Sequence, residues 1–171
     1  MTVPGKVLLR PMALADLPAV LDVQRACYPG GFLESAEVIT QRLRSPANLS
    51  CVAVRGGVVC AYLAAYRSRP GKLTPLHGGF EAVAQPDTVY LHDMAVAPHA
   101  KGRGLAQHLV EHLWAQGRSE GLVCSALVSV QGSQVFWERL GYRVQALADP
   151  AQQQNLASYG ADACYMAKPL V

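Results

Sequence analysis

The sequence contains few charged residues. Asp, Glu, Lys and Arg together make up 16% of its 171 residues, whereas the hydrophobic types make up 51%. Disordered chains have the opposite balance, so this composition excludes disorder and predicts a folded protein with a substantial core. The length predicts one domain over residues 1–171.

Long apolar runs are absent as well. No run approaches the roughly 20 residues of a membrane-spanning helix, and the first residues lack the apolar core of a signal peptide. We therefore expect no membrane contact and a cytoplasmic location. The net charge is only +3, and the Lys and Arg residues form no basic stripe, so nucleic acid is not an expected partner.

The sequence also lacks paired cysteines and a persuasive metal motif. Five cysteines stand singly, which excludes a disulfide framework and favours reduced thiols. The segment His108–His112 matches the His-x-x-Glu-His motif of some zinc proteases. Its polar residues fall on the outward face of an amphipathic helix, so we expect no metal site.

Turn signals and hydrophobic periods predict alternating strands and helices. Gly56 and Gly57 stand between two β-rich runs and predict a hairpin. Asp16 and Ser35 are predicted to cap the first two helices. Residues 67–87 have no clear period and predict a long loop. The predicted strands are 7–10, 51–54, 58–66, a central strand at the start of the stretch 90–98, 122–130, 142–147 and 163–166. Two further helices are predicted to begin after residues 104 and 133. This order predicts a mixed α/β sheet with helices on both faces.

A glycine-rich turn follows the central strand. It reads Lys101-Gly102-Arg103-Gly104-Leu105-Ala106 and runs into an apolar helical pattern. A helix N-terminus leaves backbone N–H groups free for a phosphate, and glycines let the anion approach closely. Lys101 and Arg103 add positive charge. The spacing fits neither a dinucleotide fingerprint nor a Walker loop.

The turn resembles the acetyl-coenzyme A loop of the GNAT N-acetyltransferases, Arg/Gln-x-x-Gly-x-Gly/Ala. Lys101, Gly104 and Ala106 match it with one conservative departure at Lys101. The motif can also be aligned with His99, Gly102 and Gly104. Residues 133–142 resemble the late helix of the same family and the turn into its next strand. The resemblance covers residues 7–170 and implies a GNAT fold with about six to seven strands.

The resemblance implies where acetyl-CoA, the co-substrate, would bind. Backbone groups of Met94, Ala95 and Val96 on the central strand would hold the pantetheine and the acetyl carbonyl. The turn would hold the pyrophosphate through Lys101, Gly102, Arg103, Gly104, Leu105 and Ala106. Trp137 stands where the family usually has a tyrosine that protonates the leaving thiolate, and we expect it to pack against the cofactor.

His92 is the predicted catalytic base. Strand alternation places it on one face with Tyr90 and Met94, and turns Asp93 to the other face as a structural hydrogen-bonding group. Imidazole has an unperturbed pKa of about 6.5, suited to taking a proton from an ammonium substrate. Leu-His-x-x-Ala-Val in this strand also resembles the arylalkylamine N-acetyltransferases, and Tyr90 stands where that branch has a second histidine.

The group that protonates the leaving thiolate is left open by the sequence. An indole N–H donates a hydrogen bond but does not release its proton usefully, so Trp137 is a poor acid. Tyr90, Tyr142, Tyr165 and water are the alternative acids, and departure of the thiolate without any acid is a further alternative.

The sequence thus predicts an acyltransferase that moves the acetyl group of acetyl-CoA to a small primary amine. The first helices and the 67–87 loop would enclose the amine, with Phe32, Tyr66 and Phe80 as aromatic walls. Acetylation of protein N-termini or lysines is the alternative activity, and a non-catalytic acyl-CoA sensor is the alternative class. The sequence allows a homodimer.

Overall fold

The computed structural model describes residues 5–170. Its seven strands form one sheet in the order β1-β2-β3-β4-β5-β7-β6. The strands are β1 Leu8–Pro11, β2 Cys51–Arg55, β3 Val58–Ser68, β4 Thr88–Val96, β5 Cys124–Ser129, β6 Arg143–Val144 and β7 Cys164–Pro169. Strands β4 and β5 pair in parallel, and the other neighbours in this sheet pair antiparallel. The predicted mixed α/β sheet is confirmed.

Five α-helices accompany the sheet within residues 5–170. They are α1 Leu17–Cys27, α2 Ala36–Arg44, α3 Leu105–Ser119, α4 Gln134–Arg139 and α5 Pro150–Ala157. The main core contains apolar residues of α1 and α3 packed with the sheet. Gly117 on α3 permits close packing there, because a Cβ atom would lie 2.4 Å from Val89 Cγ2 of β4. A second buried cluster includes Tyr66, Phe80 and Tyr90.

The helix starts differ in part from the predictions. The Ser35 side chain accepts a hydrogen bond from the Val38 N–H, as a cap of α2 should. Asp16 occupies the predicted N-cap position of α1, but its side chain makes no capping hydrogen bond there. Asp16 ends a 3-10 turn, and its carboxylate instead accepts hydrogen bonds from the Ala13 N–H at 2.8 Å and from Arg10.

The chain after α4 also differs. The predicted strand over 142–147 shrinks to two residues, β6, and helix α5 was not predicted. Local signals for α5 exist, because Asp149 caps it and Pro150 occupies its first position. Its weak hydrophobic period concealed it. Residues 69–87 contain no helix or strand, as the loop prediction states.

Two irregularities in β4 shape the region of interest. Ala64 pairs with Asp93 and Ala65 pairs with Leu91, so His92 is the extra residue of a β-bulge. The β4–β5 pairing covers only 88–91, although β4 continues to Val96. Beyond Leu91 the edge of β4 that faces β5 is therefore available to other groups.

Candidate active site

The free edge of β4 and the glycine-rich turn together line a cleft of about 450 Å³, here called the cofactor cleft. The predicted cofactor-binding residues that line it are Met94, Ala95, Val96, Lys101, Gly102, Gly104, Leu105 and Ala106. Arg103 and Trp137 are outside its lining. The lining is completed by Ala100 and by Cys27 and Tyr28, at the end of α1.

The turn has the geometry that an anion requires. Gly102 and Gly104 have φ angles of 76° and 72°, in the left-handed region that favours glycine. A Cβ atom on Gly102 would meet no atom within 4 Å, so the backbone there is open to a ligand. Gly104 is the N-cap of α3 and offers no side-chain cap, which leaves the N–H groups of the first helical turn for a phosphate. These residues fit the pyrophosphate of coenzyme A.

The edge of β4 offers hydrogen-bonding groups to the same cleft. The Met94 carbonyl accepts a hydrogen bond from the Tyr28 hydroxyl at 2.5 Å, and the Val96 carbonyl accepts one from the Cys27 thiol at 3.2 Å. Because the N–H and C=O of one strand residue point to the same side, the Met94 and Val96 N–H groups face this edge too. They are suited to bind the amide groups of a pantetheine chain.

A second cleft of about 220 Å³, here called the acceptor cleft, adjoins the first. Its lining includes Phe32, Glu34 and His92. Tyr28 and Met94 line both clefts, so the two meet at these residues. A group held in one cleft can therefore reach a group held in the other.

His92 is held by a buried hydrogen bond to a carboxylate in the acceptor cleft. Its Nε2 atom lies 2.8 Å from Glu34 Oε1, and the two side chains are 1% and 3% exposed. Arg42 binds both oxygens of the Glu34 carboxylate, and the His77 backbone N–H donates to it at 3.0 Å. Burial alone raises the pKa of Glu34, but the hydrogen bonds from His92 and Arg42 outweigh it and hold that pKa well below its usual range.

The other ring nitrogen of His92 faces Tyr159. The Tyr159 hydroxyl lies 3.3 Å from His92 Nδ1 and donates a hydrogen bond to the Thr74 carbonyl at 2.6 Å. The residues of α5 fasten the same loop, because Gln152 accepts from the Leu73 N–H at 2.9 Å. Leu76 of the loop and Tyr159, just after α5, thus line one side of the acceptor cleft.

The sequence also matches the model of a known protein family. The model for the acetyltransferase (GNAT) family matches residues 17–142. The chain belongs to this family. The match includes both clefts except for Tyr159, and the prediction of a GNAT acyltransferase that uses acetyl-CoA is confirmed at the level of the family.

Individual proteins resemble this chain either in part of the sequence or in the fold. A 5-NmdU N-acetyltransferase of Pseudomonas phage PaMx11 is 38% identical over 64 residues, which are 37% of this chain and 45% of that protein. The match thus spans less than half of that relative. The ribosomal-protein-S18-alanine N-acetyltransferase of Escherichia coli shares the fold, with a TM-score of 0.72 and 18% identity over 96% of this chain and 94% of that one. A GNAT family acetyltransferase of Brucella melitensis, solved with acetyl-CoA, has a TM-score of 0.60 and 19% identity over 81% and 84%.

This GNAT chain departs from the alternation predicted for Asp93. Asp93 lines the acceptor cleft together with His92, because the bulge interrupts the regular alternation of β4. Its carboxylate accepts a hydrogen bond from the Tyr62 hydroxyl at 2.5 Å. Burial raises the pKa of Asp93 even though this hydrogen bond lowers it.

The tyrosines predicted as acids lie outside both clefts. Tyr90 is buried among Tyr66 and its neighbours, and its hydroxyl has no hydrogen-bond partner among the described residues. The Tyr142 hydroxyl lies 2.7 Å from Ser125 Oγ and accepts from the Trp114 indole N–H at 2.9 Å. The Tyr165 hydroxyl accepts from the Gly71 N–H. None of the three tyrosines contacts the space where the clefts meet.

Some of the predicted aromatic residues line the acceptor cleft, and others are buried next to it. Trp137 lines the acceptor cleft, as does Phe32. Tyr66 and Phe80 are stacked with ring centroids 4.4 Å apart in the second buried cluster. Phe80 meets the His92 ring edge-on at 5.6 Å, so it supports the histidine from behind.

The structure also bears on metal-binding groups and on membrane-spanning helices. Between residues 5 and 170, no three or more His, Cys, Asp or Glu side chains are grouped so that they could hold a metal ion. Across the same residues, no helix is both long and apolar enough to cross a membrane.

Proposed function

We propose that this GNAT chain transfers the acetyl group of acetyl-CoA to a small primary amine, with His92 as the base. The observation that carries the proposal is the Glu34–His92 pair in a cleft that meets the cofactor cleft at Tyr28 and Met94. Acetyl-CoA, when bound, supplies a thioester as the acyl donor. The 101–106 turn would hold its pyrophosphate and the edge of β4 would hold its pantetheine.

The hydrogen bond between Glu34 and His92 prepares the histidine for proton transfer. Glu34 keeps its charge because its pKa is lowered, so its carboxylate accepts and the His92 Nε2 atom carries a proton. In the neutral ring the Nδ1 atom then keeps its lone pair. Nδ1 can take the proton of the attacking amine, either directly or through water or the Tyr159 hydroxyl. The Glu34 charge stabilises the imidazolium that results.

The acceptor cleft favours a small cationic amine. Glu34 and Asp93 line it, and its described lining contains no Lys or Arg. Phe32 and Trp137 provide aromatic surface, which attracts an ammonium group and packs against an apolar substituent. Its volume of about 220 Å³ lies below the range of roughly 300–1,000 Å³ typical of ligand pockets. A compact arylalkylamine fits this description better than a peptide.

A panel of acceptors tests the proposal. We expect kcat/KM for phenethylamine-like amines to exceed the values for spermidine and for short peptides by at least about tenfold, since discrimination appears in that ratio. The panel should include 5-NmdU, the acceptor in the name of the phage relative. Peptides that outperform every small amine would support modification of protein N-termini or lysines instead. Binding of acetyl-CoA without turnover of any acceptor would support a sensor.

The role of His92 has a separate test. We expect His92→Gln to lower kcat/KM by about 10²–10⁴-fold near neutral pH, the usual contribution of general base catalysis. The loss should shrink at high pH, where the amine is already deprotonated. A pH–rate profile of the variant that runs parallel to the wild-type profile would make His92 structural.

His77 supplies the matched control for this experiment. His77 is exposed, and it binds Glu34 through its backbone N–H and not through its side chain. Its φ of 66° is tolerated by asparagine better than by most residues. His77→Asn should therefore keep both the rate and its pH dependence.

A further inference from the structure

Tyr28 occupies the junction of the two clefts. It directly follows α1, and it lines the cofactor cleft as well as the acceptor cleft. Its hydroxyl donates to the Met94 carbonyl at 2.5 Å, on the free edge of β4. A phenol O–H is therefore already present where a thioester held in the cofactor cleft would meet an amine held in the acceptor cleft.

No other hydroxyl of the described lining has this position. Tyr159 lines the acceptor cleft alone, and its O–H donates to the Thr74 carbonyl. Ser133 also lines the acceptor cleft alone, and its O–H donates to the Val130 carbonyl. Tyr90 and Tyr142 line neither cleft.

We propose that Tyr28 is a further catalytic residue, whose hydroxyl turns from the Met94 carbonyl to the sulfur of coenzyme A and stabilises the charge that develops there. This inference rests on the proposed acetyl transfer. The amine nitrogen bonds to the acetyl carbon and gives one proton to His92. The electron pair of the broken C–S bond remains on sulfur, which accepts the Tyr28 hydrogen bond, leaves as the thiolate and is protonated by solvent after release.

The surroundings of Tyr28 keep its hydroxyl protonated. Burial raises the pKa of Tyr28 far above its ordinary value, and the nearby charge of Asp93 raises it further. The other titratable groups around it are Glu34, Cys27, His92 and Lys101. Tyr28 therefore acts as a hydrogen-bond donor, not as a source of a free proton. Such fixed donors are effective where charge appears in a transition state.

The binary complex with coenzyme A tests this inference without any acceptor. The ultraviolet absorbance of the bound thiolate, followed against pH, gives the pKa of the bound thiol. The same titration with desulfo-coenzyme A removes the contributions of the protein's own thiols and phenols. We expect Tyr28→Phe to raise the pKa of the bound thiol by about one unit, a tenfold change, as expected for loss of a hydrogen bond to a charged group.

Tyr159→Phe is the matched control, because it removes the other cleft phenol O–H and should leave the pKa of the bound thiol unchanged. An unchanged pKa in Tyr28→Phe would overturn the inference. The wild-type protein offers a test that needs no variant, since the bound thiol should have a lower pKa than free coenzyme A. An equal or higher pKa would also overturn it. Because no acceptor is present, a wrong acceptor class would not affect either result.

Discussion

Replacing Gly104 with glutamate is expected to abolish the binding of acetyl-CoA. Gly104 has a φ of 72° and precedes the first turn of α3, so any side chain there is strained. A glutamate would also place a negative charge at the positive end of the helix, in competition with the pyrophosphate. Together these effects should weaken binding by at least about 100-fold, measured by calorimetry.

Gly121, just beyond the other end of α3, provides the control. It has a φ of 81°, and a Cβ atom there would meet no atom within 4 Å. Gly121→Glu therefore introduces a similar backbone strain and the same charge, but away from the cofactor cleft. This variant should bind acetyl-CoA with wild-type affinity. Unchanged affinity in Gly104→Glu would contradict the placement of the cofactor.

Replacing Arg42 with methionine should lower the free energy of unfolding by about 3–5 kcal/mol at neutral pH, because it leaves a buried carboxylate without its cation. Arg42 and Glu34 are each 3% exposed, and Arg42 also donates to the Gly78 carbonyl of the loop. Denaturant unfolding measures the effect. Arg25→Met removes an arginine from an exposed pair with Asp22 and should change the free energy by no more than about 0.5 kcal/mol.

The pH dependence of the Arg42 effect has a definite sign. The folded-state pKa of Glu34 lies below its unfolded value, so its contribution to stability is present above the unfolded pKa of about 4.3 and is lost as the pH falls toward the folded pKa. The difference between wild type and Arg42→Met should therefore be largest near neutral pH and should narrow below about pH 4. A difference that widened in acid would contradict this account.

Local patterns were sufficient to predict most of the fold. Alternating and helical hydrophobic periods reflect burial on one face of a strand or helix, and they are readable without knowledge of distant contacts. Most residues that line the cofactor cleft could be predicted from the sequence for the same reason. Most of its lining comes from the continuous segment 94–106, in which a strand, a turn and a helix start are consecutive in sequence.

The acceptor cleft was less predictable because it depends on distant pairs. His92 was predicted as a site residue from its place in a strand, but Glu34 lies 58 positions before it and Tyr159 lies 67 positions after it. Tyr28 meets Met94 across 66 positions. No periodic pattern marks any of these partners, since their meeting is set by how the strands and helices pack.

The β-bulge was invisible for a related reason. Strand alternation predicted opposite faces for His92 and Asp93, and one unpaired residue was enough to bring both to the acceptor cleft. A bulge is a property of two paired strands, so the sequence of β4 alone does not reveal it.

The two clefts differ in how their walls are assembled. One is built almost entirely from a single short stretch of chain, whereas the other gathers Phe32, the loop after β3 and Tyr159 from widely separated parts. Under the proposed function, mutations in the loop or at Tyr159 should therefore change acceptor selection without weakening the binding of acetyl-CoA. With these assignments, acceptor specificity is open to change through substitutions in one wall at a time, while the segment 94–106 is left unaltered.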